Sequence, residues 1–227
     1  MASSALRALF AALPEAEALL RAEKPLRPLG QSEVGSAIRR ASTVALSSFY
    51  ERYLYQVNEE AVDAINAASV SGNVLPVQLR LVHTKSSVDS LSQTRWDGER
   101  RVLALERFVR EEAWLWTSSA SGMLEHGRLL EFMSAPKPKE VSRYFRYWDI
   151  PDIFSAITRK PHVRTKLYVT LVDLVDKRNA IAHGDPEVVP TYRDVIGYRS
   201  VVKLFCERVD RTIARRIAEL TAANRPW

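Results

Sequence analysis

Asp173-Leu-Val-Asp-Lys-Arg-Asn-Ala-Ile-Ala-His-Gly-Asp-Pro186 reads as the closing turns of a helix. Gly184 stands where a left-handed cap is wanted, and Pro186 cannot continue the helix. Arg178, Asn179 and His183 form an Arg-x4-His pattern with a polar residue directly after the arginine. Five residues on a helix is a turn of roughly 500°, so Arg178 and His183 diverge by about 140°. Arg178 shares a row with Leu167, Leu171, Leu174 and Ile181, otherwise apolar. His183 shares a row with Asp173, Asp176 and Ala180. An arginine in an apolar stripe needs a partner to justify its burial.

These three side chains suit phosphate chemistry. Histidine serves as acid or base near neutral pH. Arginine offers a permanent charge in a fork that fits phosphate. Asn179 can hold a phosphate oxygen or orient the histidine. At the carboxyl end of a helix, the dipole favours a cation on His183. The structural alternative is that Arg178 pairs with a core carboxylate and His183 merely ends a helix.

The motif resembles that of the HEPN superfamily. The downstream Gly184 and the segment Trp148-Asp-Ile-Pro-Asp-Ile-Phe154 are most similar to its RiboL-PSP branch. The likeness runs from about Ser32 to about Leu220. It implies an all-α helical bundle and, among catalytic relatives, a metal-independent endoribonuclease. In that case Arg178 and His183 of two subunits face each other across a symmetric cleft, with Asn179 beside them. It also implies a toxin or phage-defence role and a homodimer. RNA is the implied substrate, and an antitoxin or defence-system partner protein is a further expected partner. Relatives often carry an acidic residue in a segment like Phe49-Tyr-Glu-Arg-Tyr53, so Glu51 is a candidate to hold Arg178 or His183. A solvated glutamate is the plain alternative. Some relatives have tyrosine two residues after the histidine; Asp185 stands there, so no step through that tyrosine is carried over. The alternative functions are a non-catalytic HEPN module that binds RNA or protein, and an antitoxin-like scaffold.

Composition sets outer bounds. The 227 residues are 46% hydrophobic, enough for a core, with a net charge of +6. That charge is compatible with nucleic acid without arguing strongly for it. A single cysteine, Cys206, excludes an internal disulfide, and it lies in an apolar helical pattern that predicts a core thiol. So few cysteines and no signal peptide predict a cytoplasmic protein. No apolar run reaches membrane-spanning length. No Cys/His cluster has zinc spacing and no Gly-rich loop could cradle phosphate, so neither metal nor cofactor is expected.

Taken in order, Ser4 to Glu23 predicts a helix broken at Pro14, with stripes Leu6, Leu9, Phe10, Leu13 and then Ala18, Leu19, Leu20. Lys24 to Gly30 is a Pro-containing loop. Residues 1–30 thus form an N-terminal arm, followed by a HEPN domain over 31–227. Ser32 is a plausible N-cap for a helix to about Ala68. Val34, Ile38, Ala41, Ala45, Phe49, Tyr53, Val57, Ala61 and Ile65 recur along it at helical spacing. Residues 76–138 look like a helical elaboration. It contains a helix from Pro76 to Leu91, with a lone, structural His83. Asp97 is the expected N-cap of a second helix, Glu99 to Ser118, with Val102, Leu105, Phe108, Val109 and Leu115 facing inward. Of Trp114 and Trp116, on opposite sides, one is expected in the core. Met123 to Phe132 predicts another short helix, and Ser134 to Pro138 a break.

Lys139 to Trp148 interleaves Arg143 and Arg146 with Tyr144, Phe145, Tyr147 and Trp148. Such a segment stacks on single-stranded RNA or, more commonly, forms an amphipathic helix with snorkelling arginines. A short helix follows from Pro151 to Ile157. Arg159, Lys160, Arg164 and Lys166 crowd the start of the motif helix, against its dipole, and are candidate RNA-phosphate contacts. The last helix opens at Pro190 or Thr191 and runs to about Ala222, with Val195, Val202, Phe205, Val209, Ile213, Ile217 and Leu220 as its core stripe. Alternating strand patterns are almost absent, so the fold expected is an all-α bundle.

Overall fold

The computed structural model describes residues 1–23, 32–93, 98–117, 120–223 and 226–227. The described residues are helical apart from turns and one isolated bridge between Ser71 and Ser121. Eight helices follow one another: α1 (Ser4–Glu23), α2 (Ser32–Ala67), α3 (Val77–Gln93), α4 (Glu99–Glu111), α5 (Pro138–Tyr147), α6 (Ile153–Ile157), α7 (Pro161–Ala182) and α8 (Tyr192–Thr221). The expected loop Lys24 to Gly30 and the expected N-cap Asp97 lie outside the described residues.

The 36-residue α2 is the axis of the bundle, with α1, α7 and α8 packed along it. Its lower two thirds bury Leu46, Tyr50, Tyr53, Leu54, Val57, Ala61, Val62 and Ile65. The expected stripe fails only in the first turns, where Val34 is 48% exposed and Ala41 faces solvent. There α2 turns Gly35, Ser42 and Thr43 inward instead, and Arg39 and Arg40 meet the chain beyond α7. Every residue of the stripe expected on α8 is buried. Thr191 caps α8 reciprocally with Asp194, which satisfies two backbone donors at the helix start.

α1 is one continuous helix, so the expected break at Pro14 does not occur. Leu6, Leu9, Leu13, Ala16 and Leu20 keep one buried stripe in phase across the proline, which points to solvent. Burial of that stripe on α2 and α8 outweighs the lost hydrogen bond. Polar contacts fix the same helix: Glu60 accepts from the Ser4 and Ala5 amides, Asp210 from Ser3, and Arg199 pairs with Glu17. The arm therefore lies against the bundle. Phe10 and Ala18, placed in the stripes by spacing, are instead exposed.

Two further expectations fail between α3 and α5. The second helix stops at Glu111, and a tight 3₁₀ turn over Ala113–Trp116 follows. No residue of α4 is buried, and Val102, Leu105 and Val109 face outward at 51–59% exposure. The anchors here lie beyond the helix and turn it over: Trp114 and Leu115 enter the core, and Glu112 pairs with Arg128 inside the protein. Trp116 stays 43% exposed.

Met123 to Phe132 is not a helix but an extended stretch leading into a 3₁₀ turn at His126–Leu129. Side chains of other helices satisfy its backbone in place of helical bonds. Asn66 of α2 both donates to the Leu124 carbonyl (3.0 Å) and accepts from its amide (2.8 Å). His83 of α3 accepts from the Glu125 amide at 2.9 Å. Asn58, also on α2, donates to the His126 carbonyl and accepts from the Tyr144 hydroxyl.

Candidate active site

The motif sits where its spacing puts it, on the last turn of α7. His183 is the C-cap, and Gly184 follows at φ +84°. The Asp185 amide bonds the Ala180 carbonyl, and the Gly184 amide bonds that of Ile181. This double closure is a Schellman motif, which needs the left-handed residue supplied by Gly184. It leaves the His183 side chain exposed at the helix tip.

Arg178 lies about 1.4 turns earlier, on the side facing α2. Its Nη2 donates to Glu51 Oε2 at 3.0 Å, and its Nη1 to Asn179 Oδ1 at 3.0 Å. The side chains of Arg178 and Glu51 are 26% and 24% exposed. The partner that an arginine in an apolar row requires is therefore Glu51, and water reaches the pair. Leu167, Leu171 and Leu174 on the same row are fully packed.

Neighbouring groups hold the end of α7 in place. Lys177 Nζ donates to Asp173 Oδ2 at 2.9 Å and to the Tyr198 hydroxyl at 2.9 Å, and lies 3.4 Å from Asp194. Tyr198 in turn donates to Asp173. These bonds hold the Lys177 ammonium in its charged form against the cost of burial. The Tyr198 phenol is pushed up, first by burial and then by its bond to Asp173. α7 and α8 are locked together one residue before Arg178.

On the other flank, Arg40 Nη1 donates to the carbonyls of Asp185 (2.6 Å) and Val188 (2.9 Å). Arg39 Nε donates to the Pro190 carbonyl at 2.7 Å and also pairs with Glu23. The segment leaving His183 is thus held by two consecutive arginines of α2. Sequence spacing gave no sign of either, since both look like solvated residues between apolar ones.

Glu51, Arg178, Asn179 and the backbone of His183 come together here. The other candidate cations do not. Arg159, Lys160 and Lys166 are exposed at the start of α7, and Arg164 donates to Ser155 at 2.6 Å. At 1.5 Å per residue, Arg164 and Lys160 stand roughly 21 and 27 Å along the helix from Arg178. Within one copy of the chain they lie at the opposite end from the motif. Among the described residues no group of three or more His, Cys, Asp and Glu could hold a metal ion. No described helix is long and apolar enough to cross a membrane.

A helical bundle closed by an Arg-Asn-x3-His-Gly turn, with a carboxylate from the long helix on the arginine, defines a HEPN-type module. The chain belongs to the RiboL-PSP-HEPN family, whose model matches residues 15–215. Comparison with curated proteins and with solved structures gave no match.

Proposed function

We propose that the protein is a metal-independent endoribonuclease that works as a homodimer. The observation carrying this is the partly exposed Arg178, braced by Glu51 and Asn179, with an exposed His183 at the end of α7. A bracing carboxylate fixes a guanidinium fork without removing its charge, as a phosphate clamp needs.

Arg178 faces α2 while His183 leaves the helix tip, so one copy cannot aim both at one phosphate. Two copies with their α7 ends opposed can. Val189, Tyr192 and Ile196, next to the motif, are 38–41% exposed and offer apolar surface for such a contact. In the reaction, one histidine takes the proton of the ribose 2′-hydroxyl, and the oxygen attacks the adjacent phosphorus. The bond to the 5′-oxygen breaks, and that oxygen receives a proton from the second histidine. Arg178 stabilises the charge on the phosphoryl oxygens. The products are a 2′,3′-cyclic phosphate and a 5′-hydroxyl. A toxin or phage-defence role, restrained by a partner protein, fits an enzyme of this kind.

The second reading is a non-catalytic module that binds RNA or protein. It is favoured by one observation: both terminal nitrogens of Arg178 are already engaged within the chain. Incubating the purified protein with total RNA, with and without chelator, separates the two. Cleavage that survives chelator and leaves cyclic-phosphate ends supports the enzyme. Cleavage that needs added magnesium, or no cleavage by a protein that still binds RNA, overturns it.

A further inference from the structure

A cleft of about 680 Å³ opens between α3 and α5, and no residue of the motif lines it. Leu81 and Val82 line it together with Lys85, Arg143 and Arg146. The aromatic residues interleaved with those arginines do not serve it as stacking platforms. Tyr144, Phe145 and Trp148 are fully buried and Tyr147 nearly so. On the side of α5 that lines the cleft, the exposed residues are Arg143 and Arg146.

The cleft's two arginines are not neutralised from within. Its one lining carboxylate, Asp149, is taken by Arg216 at 2.9 Å. Arg146 has no carboxylate partner among the described residues. Arg143 has none either; its guanidinium lies 4.3 Å over the Phe132 ring and donates to the Tyr147 hydroxyl at 3.0 Å. Lys85 pairs with Asp89, on its own helix. Two arginines without carboxylate partners, beside the apolar Leu81 and Val82, form a receptor for a polyanion whose phosphates are spaced by apolar groups. The start of α5 is tied to the motif helix, where Lys137 Nζ meets Asp176 at 2.6 Å, two residues before Arg178. The helix thus runs some 15 Å from the motif's flank to the cleft.

We propose that this cleft binds single-stranded RNA, with Arg143 and Arg146 on consecutive phosphates and bases lying on Leu81 and Val82. The choice of RNA rests on the ribonuclease reading; the demand for a polyanion does not. Contacts of this kind are insensitive to sequence and strongly salt-dependent.

The test is fluorescence anisotropy with a labelled single-stranded RNA, using the full chain carrying His183→Ala to prevent cutting. Adding Arg143→Glu and Arg146→Glu should raise Kd tenfold or more. With Arg143→Gln and Arg146→Gln, the slope of log affinity on log salt should become shallower by about 1.4, at roughly 0.7 per phosphate contact. The neutral pair keeps the test decisive should the reversed pair not fold. Unchanged affinity and slope overturn the proposal and leave the cleft to an acidic protein partner. A chain that binds through the cleft yet never cuts RNA, whatever its His183, sinks the ribonuclease reading alone. One that cuts RNA with no salt-slope change in the variant sinks the cleft alone.

Discussion

Glu51 on α2 and Arg178 on α7 meet at 3.0 Å across antiparallel helices, 127 residues apart in the chain. The pair joins the long helix to the motif and makes two jobs of one residue. On the function proposed, Arg178 is both a bundle contact and the cation presented to RNA, and substitutions can separate these jobs.

Arg178→Ala leaves the Glu51 carboxylate without its cation at a partly wet site. The expected cost is about 1–2 kcal/mol, between the ~0.2–1 kcal/mol of exposed pairs and the ~3–5 kcal/mol of broken buried ones. His183→Ala removes an exposed side chain and should change stability by less than about 0.5 kcal/mol. Both should abolish cleavage, the histidine variant by roughly 10²–10⁴-fold. Thermal melts beside RNA-cleavage assays read both. A His183→Ala protein of full activity, together with a strongly destabilised Arg178→Ala, would make the motif structural.

Glu51→Gln keeps the shape of the partner and removes its charge. If Glu51 aims the guanidinium, cleavage should fall at least tenfold, while the melting temperature drops only slightly. Unchanged cleavage at every RNA concentration would show that Arg178 needs no aiming.

Gly184→Ala tests the cap. A Cβ there meets nothing within 4 Å, so the penalty is purely the left-handed backbone at φ +84°. About 1 kcal/mol of stability should be lost, with fraying of the turn that carries His183. Gly184→Asn, which tolerates this conformation better, should recover part of the loss. Equal melting curves for all three proteins would contradict the argument.

His83 gives a pH dependence remote from the motif. Burial, then the nearby Arg128 guanidinium, lowers it to about 4, against the opposing pull of Glu112 and Glu125. The neutral ring is required because its Nε2 accepts from the Glu125 amide. The folded protein therefore binds fewer protons than the unfolded chain between about pH 4 and 6.5. The stability contributed by this site is complete above about pH 6.5 and declines as pH falls from there towards 4. Denaturant titrations across that window should show the decline for the wild type and a weaker one for His83→Gln.

Light scattering should find a dimer under the conditions in which RNA is cut. A monomer cutting at full rate would remove the need for two opposed α7 ends.

Much of this architecture is legible in the sequence because apolar periodicity is strong where a helix is packed along its whole length. The stripe of α8 and the Gly184 turn are examples. Periodicity misleads where a helix buries little, since it says which face is apolar but not whether anything covers it. Val102, Leu105 and Val109 of α4 form such a face, and polar anchors at Glu112 and Arg128 decide its orientation. The stretch around Leu124 was opaque for a related reason. Its backbone partners are Asn66 and His83, far away in the chain, and no local pattern announces them. Pro14 was overruled by burial on either side of it. At the motif, the spacing of Arg178 and His183 already implied divergent directions. The grip of Arg39 and Arg40 could not be foreseen, because it acts on carbonyl groups, which every residue has.

On the function proposed, that grip bears on what happens when RNA arrives. The chain leaving His183 is pinned at Asp185, Val188 and Pro190 by adjacent residues of a helix running the other way. A loop held at three carbonyls has given up its freedom during folding, so little ordering entropy remains to be lost on binding. Amide hydrogen exchange should register this as slow opening at the bonded amides of Gly184, Asp185, Glu187 and Thr191. Releasing Arg40 alone would turn a preset histidine into one that must search for its place at every encounter.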